Sequence, residues 1–305
     1  MHLKKHLFFI FTILIVLSLL YFYSLSDMFH PKQIASYENF TEISEEFDAS
    51  KEIEEAAKRF PVTNAPAGII KGNARVEGNY IALTFDGMDS RGNTETILQI
   101  VTDEGWHATF FVEGLNAAKN SATVQKLLQA EQLIGNYSFV GISKAEQMKP
   151  PALIEQFCRT QKVLKLITGA EPKLFKLQDT RYLNELLRAA KACGLENAVQ
   201  SDISMPVSGL HDDGAIQQFV NRIRPGMIVS LQMGRPVPVR YVRKSEPGAP
   251  EIDKQPTIKD KNVAEVKNTT DADSIKKLCQ ALKAKGFQVV TVNALDAMNK
   301  PDQKQ

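Results

Sequence analysis

The run Ile81-Ala82-Leu83-Thr84-Phe85-Asp86 closes an apolar stretch on a carboxylate. A carboxylate at the end of a strand can take a proton from a nucleophile or help hold a cation, provided that partners stand beside it. Candidate partners are few. Asp89 follows in Asp-Ser-Arg-Gly, which reads first as a surface turn. His211-Asp212-Asp213-Gly214 could bind a metal, yet Asp212 and Asp213 also fit a helix N-cap and first-turn acid, the preferred reading. The other histidines fall at 2, 6, 30 and 107, far from Asp86 in sequence or beside an apolar strand. Cys158, Cys193 and Cys279 are widely spaced and odd in number, forming neither a CxxC metal clip nor a paired disulfide framework. Each lies on a helical pattern and is expected to be a small buried hydrophobe.

Positioning these side chains requires a scaffold, and from residue 79 the pattern alternates between strand and helix. Short apolar runs at 79–85, 108–114, 173–176, 197–201, 227–232 and 287–292 read as strands. Helical spacing fills 93–105, 151–167, 182–193, 214–224 and 273–285, with another helix through Val124–Ala130. Such βα alternation implies a mostly parallel sheet or a barrel. Residues 235–270 break it: five prolines among many charges predict a flexible insertion.

The N-terminus carries a different signal. Residues 7–25 contain no charge, and at 1.5 Å rise they span roughly 28 Å, close to the thickness of a bilayer core. Lys4 and Lys5 precede this run and Asp27 follows it, which leaves residues 1–6 in the cytoplasm and the rest extracytoplasmic. The run's length, and the lack of an A-x-A pattern at its end, favour an uncleaved single-pass signal anchor over a cleaved signal peptide. Residues 26–72, with helix formers over 42–59 stopped by Pro61 and Pro66, read as a helical stalk or linker. Across all 305 residues, 37 basic side chains nearly balance 35 acidic ones. That balance argues against nucleic-acid binding through a broad basic surface.

Five segments taken in order resemble one family. They are IALTFDG with the following helix and HATFFVEG, then IGNYS (134–138), PKLFKLQDTRYLNELLRAAKACGL (172–195), PGMIVSLQMG (225–234) and AKGFQVVTVNAL (284–295). Together they resemble the polysaccharide deacetylase (NodB-homology) family. The resemblance implies an α/β fold, a distorted (β/α) barrel of the NodB-homology type over residues 73–297, here with an N-terminal transmembrane helix and a polar tail at 298–305. It also implies a glycan substrate carrying N-acetyl groups, and a divalent metal such as zinc. In the family the motifs are Thr-Phe-Asp-Asp-Gly, His-Ser-x-x-His, Arg-Pro-Pro-x-Gly and Leu-x-His. The first Asp is the base, the second Asp and both histidines hold the metal, and the last His is the acid.

By this resemblance Asp86 keeps the general-base position, as a vestige where the other motif residues are lost, while Gly87 stands at the first metal-ligand position. Tyr137 and Gly141 stand where the two histidines belong, Lys176 replaces the motif arginine, and Gln232 replaces the acid. Glycine offers no side-chain donor, a neutral phenol is a poor ligand beside imidazole, and an amide does not titrate. Lysine lacks the two-pronged guanidinium. The expectation is therefore a protein without a bound metal cofactor. It would be a membrane-anchored deacetylase-like protein whose partners are the membrane and a cell-envelope glycan, either peptidoglycan or an N-acetylglucosamine polymer. Two alternatives stay open: an active glycan N-deacetylase rearranged around Asp86 with Asp89 or His211, and a structural envelope protein.

Overall fold

The computed structural model describes residues 45–88, 93–233, 237–238 and 271–298. Its centre is β2 (Tyr80–Asp86), buried along six of its seven residues because it pairs on both edges. One edge meets β9 (Ile228–Gln232); the other meets β3 (Thr109–Val112) and, at the start of β2, β11 (Gln288–Val290). Beyond β3 the sheet continues through β4 (Leu133–Asn136), β6 (Leu174–Phe175), β7 (Asn197–Val199) and β1 (Gly68–Ile70). Beyond β9 it ends at β8 (Ile203–Pro206). Every pairing is parallel. Parallel strands need crossovers, which is why helices separate them and why their sequences are apolar on both faces. The end strands β1 and β8 are not paired with each other, so the described sheet is a curled half-barrel, consistent with a distorted (β/α) barrel.

Alternation along the strands divides the core. Ile81, Leu83 and Phe85 face outward and pack with Phe110, Val229 and Leu231 against α2 (Asn93–Asp103), α7 (Asp213–Arg222) and α8 (Asp271–Ala284). Phe85 and Phe110 stack there with centroids 4.7 Å apart. The alternate residues Ala82, Phe111, Leu174, Val199 and Ile228 meet on the concave face, where α9 (Val292–Met298) adds Val292 and Leu295. The short α3 (Gly114–Lys119) and α4 (Ser121–Gln129) cross from β3 to β4. A further apolar cluster joins α1 (Ser50–Arg59), α5 (Pro150–Thr168) and α6 (Asn184–Ala192).

That cluster corrects the reading of 26–72 as a stalk. From residue 45 onward this stretch belongs to the folded domain. Ala56 and Phe60 are buried, Lys162 pairs with Glu52 at 2.9 Å, and Arg59 Nε donates to the Ala192 carbonyl. Gly68–Ile70 then enter the sheet beside β7. The charged face of α1 concealed the docking, because its apolar positions are small or few. The segment 7–25, the stalk before residue 45 and the tail after Met298 lie outside the described residues. Among those described, no helix is long and apolar enough to cross a membrane. The insertion at 235–270 also lies outside them, except that Val237–Pro238 form β10, parallel to β5 (Ile142–Ser143).

All three cysteines are free and buried, as expected of small hydrophobes. Two of them are not scattered: the Cys158 and Cys193 sulfurs lie 3.1 Å apart.

Candidate functional site

The alternation that sends Phe85 outward sends Thr84 and Asp86 to the concave face. Strand register places Ser230 opposite Thr84, and Gln232 opposite Asp86, across the β2–β9 pair. Lys176 follows β6 directly, its amide donating to the Asn136 carbonyl at 3.0 Å. Its side chain enters the same buried space. Lys176 Nζ lies 2.7 Å from Asp86 Oδ2 and donates to Thr84 Oγ1 at 2.9 Å. Thr84 Oγ1 in turn donates to Asp86 Oδ1 at 2.9 Å, and Ser230 Oγ donates to Oδ2. Asp86 is 3% exposed and Lys176 5%, so this ion pair is closed off from water. Burial holds the Lys176 ammonium below its usual pKa even though Asp86 pulls it upward. Removing either partner from such a pair leaves an uncompensated charge in a low-dielectric site.

A second group of side chains adjoins the pair. Gly87 has φ +95° and its amide donates to the Phe111 carbonyl at 2.8 Å, a conformation costly for other residues. Tyr137 is buried, and its hydroxyl donates to Gln178 Oε1 at 3.0 Å. Burial, with Asp86 and Glu113 nearby, pushes the phenol well above its ordinary pKa, so it remains a neutral donor. Gly141 has φ +68°, and a side chain there would begin 3.1 Å from Glu113 Cγ and 3.2 Å from its Oε1. Glu113 therefore sits against the position where the resemblance would put a histidine. Its Oε2 accepts from the Met88 amide at 2.7 Å, and burial raises its carboxyl to about 7.

The residues present do not fit the metal that the family implies. Gly87 and Gly141 provide no side-chain donor, Tyr137 holds its proton and is spent on Gln178, and Asp86 is neutralised by Lys176. Among the described residues no three His, Cys, Asp or Glu side chains are grouped to hold an ion. His211 is exposed, with contacts to the Gly209 carbonyl and to Asp212 at 3.2 Å. Asp212 caps α7, accepting from the Ala215 amide at 2.7 Å, as the capping reading expected. Asp89 lies outside the described residues.

The structure thus brings Asp86, Gly87, Tyr137, Gly141, Lys176 and Gln232 to one end of the sheet. Sequence reasoning also treated lysine at 176 as an inadequate substitute for arginine. The ammonium cannot make a fork, but it keeps the partnership with Asp86 through one oxygen. Four members of the site were missed: Thr84, Glu113, Gln178 and Ser230. Glu113 had a signal, since it is an acid directly after the apolar run Phe110-Phe111-Val112 of β3. Thr84 and Ser230 had only their place among buried strand residues, and Gln178 becomes meaningful only once Tyr137 is placed.

Comparison with known proteins agrees with this geometry. Residues 73–198 match the polysaccharide deacetylase family. Among solved structures, a family-4 carbohydrate esterase pseudoenzyme from Bacillus anthracis is 17% identical, with a TM-score of 0.54 over 76% of this chain and 69% of that one. A peptidoglycan N-acetylglucosamine deacetylase is 19% identical, with a TM-score of 0.56 over 75% of this chain and 92% of that one. Bacillus subtilis PdaA, a family-4 carbohydrate esterase, is 15% identical, with a TM-score of 0.55 over 83% of this chain and 92% of that one. The family match spans the Asp86, Tyr137 and Lys176 segments and the fold is shared with these enzymes, so residues 73–198 form a polysaccharide deacetylase (NodB-homology) domain that departs from the family's motifs.

Proposed function

We propose that this chain is a membrane-anchored, extracytoplasmic deacetylase-like protein that binds cell-envelope glycan without metal-dependent deacetylation. The observation that supports the reading is Gly87, Tyr137 and Gly141 at the three metal-ligand positions, which leaves no side chain there suited to hold a metal ion. Peptidoglycan deacetylases among the similar structures support peptidoglycan, or an N-acetylglucosamine polymer, as the class of glycan. The anchor reading rests on residues 7–25.

One observation favours a second reading, an active N-deacetylase with a rearranged site. A buried carboxyl held at about 7, as Glu113 is, can exchange a proton near neutral pH. Binding to the glycan is common to both readings. Full-length protein in detergent micelles should be retained by insoluble peptidoglycan or chitin and released by soluble chitooligosaccharide. Failure to bind any of these would leave a structural envelope role. Placement is tested separately: protease added to intact spheroplasts should digest the C-terminal domain, and protection of that domain would refute the proposed topology.

A further inference from the structure

The chain contains two thiols already in contact, on different elements and away from the carboxylate site. Cys158 lies within α5, and Cys193 is the residue that closes α6. Their sulfurs are 3.1 Å apart, and the side chains are 2% and 5% exposed. Neither thiol has a better partner. Cys158 reaches the Glu52 carbonyl of α1 and Cys193 the Ile154 carbonyl of α5, both at a long 3.7 Å. A disulfide needs the sulfurs about 1 Å closer.

We propose that Cys158 and Cys193 form a structural disulfide that staples α5 to the end of α6. They stand 35 positions apart, and the residues between them include β6, Lys176, Gln178 and all of α6. The crosslink would therefore close a loop around the segment that delivers Lys176 to Asp86 and Gln178 to Tyr137. The oxidant is a disulfide donor, by class a dithiol oxidoreductase in its oxidised form or glutathione disulfide. One cysteine thiolate attacks the donor's disulfide, forming a mixed disulfide and releasing one donor thiol. The second cysteine attacks the mixed disulfide, forming the Cys158–Cys193 bond and releasing the second donor thiol. Two S–H bonds are lost from the protein, and two electrons and two protons pass to the donor. Because α1 covers Cys158, the exchange belongs to folding, before α1 docks. The inference rests on the sulfur geometry and is independent of glycan binding.

The test uses the full chain in detergent, unfolded and refolded with glutathione disulfide as the probe, beside a sample refolded in reductant. Both are then denatured, alkylated and mapped by peptide mass. The expected result is a Cys158–Cys193 linked peptide in the oxidised sample, with Cys279 alkylated in both. The melting temperature should rise by about 5–15 °C on oxidation, as expected for a loop of this length in a domain of this size. Cys158→Ala and Cys193→Ala should each abolish the rise while remaining folded when reduced. Full alkylation of all three cysteines after oxidative refolding, linkage of Cys279 instead, or a linked pair without a rise in melting temperature would overturn the proposal.

Discussion

Lys176 and Asp86 form a closed ion pair, and their burial makes each dependent on the other. Lys176→Met should cost about 3–5 kcal/mol in denaturant unfolding, because Asp86 would stay buried without its counter-charge. Asp86→Asn combined with Lys176→Met should cost less than the two single changes added together; strict additivity would show that the groups do not interact. Glu113 makes a separate, pH-dependent contribution. Its carboxyl moves from the ordinary 4.5 up to about 7 on folding, so the folded state binds more protons between those values. Stability from this group is fully present below pH 4.5 and is lost as pH rises through about 7, a change on the order of 3 kcal/mol. Glu113→Gln should therefore flatten the decline in unfolding free energy between about pH 5 and 8. An unchanged slope would mean that the carboxyl is solvated after all. These residue-scale features were only partly legible. Asp86, Lys176, Tyr137 and Gly141 could be located from motif order, whereas the space that Glu113 fills is a property of packing that no linear pattern records.

Among the elements, the strands and helices with strong periodicity were legible to within a few residues. The 151–167 pattern is α5, opened by its prolines, and the 214–224 pattern is α7. Shorter elements escaped because they lack a period of their own. β8 holds only four residues and includes Pro206, which an edge strand tolerates. α1 was visible as a helix and hidden as part of the domain, since a helix rich in charge reveals nothing about what its few apolar residues touch. The cap of α7 belongs to this scale and has a direct consequence. Asp212→Ala should destabilise the domain by about 1 kcal/mol through loss of the bond to the Ala215 amide. It should leave retention on glycan unchanged. Weakened binding to glycan would mean that the His211–Asp213 corner belongs to the site.

At the scale of the molecule, a half-barrel that serves glycan deacetylases elsewhere here holds a site without the donors for a metal. Fold and activity separate because the sheet is maintained by alternating apolar residues, whereas catalysis depends on a few side chains at one end of it. The outward-facing layer around Phe85 and Phe110 requires nothing of Gly87, Tyr137 or Gly141. We propose that such a site does not turn over glycan. The most direct test is release of free amine from chitooligosaccharide and from peptidoglycan by the full-length protein, with zinc or cobalt supplied and Asp86→Asn assayed beside it. No release above the protein-free control is expected, and no difference between the wild type and the variant. Metal-dependent release of amine by the wild type, abolished by Asp86→Asn, would contradict it.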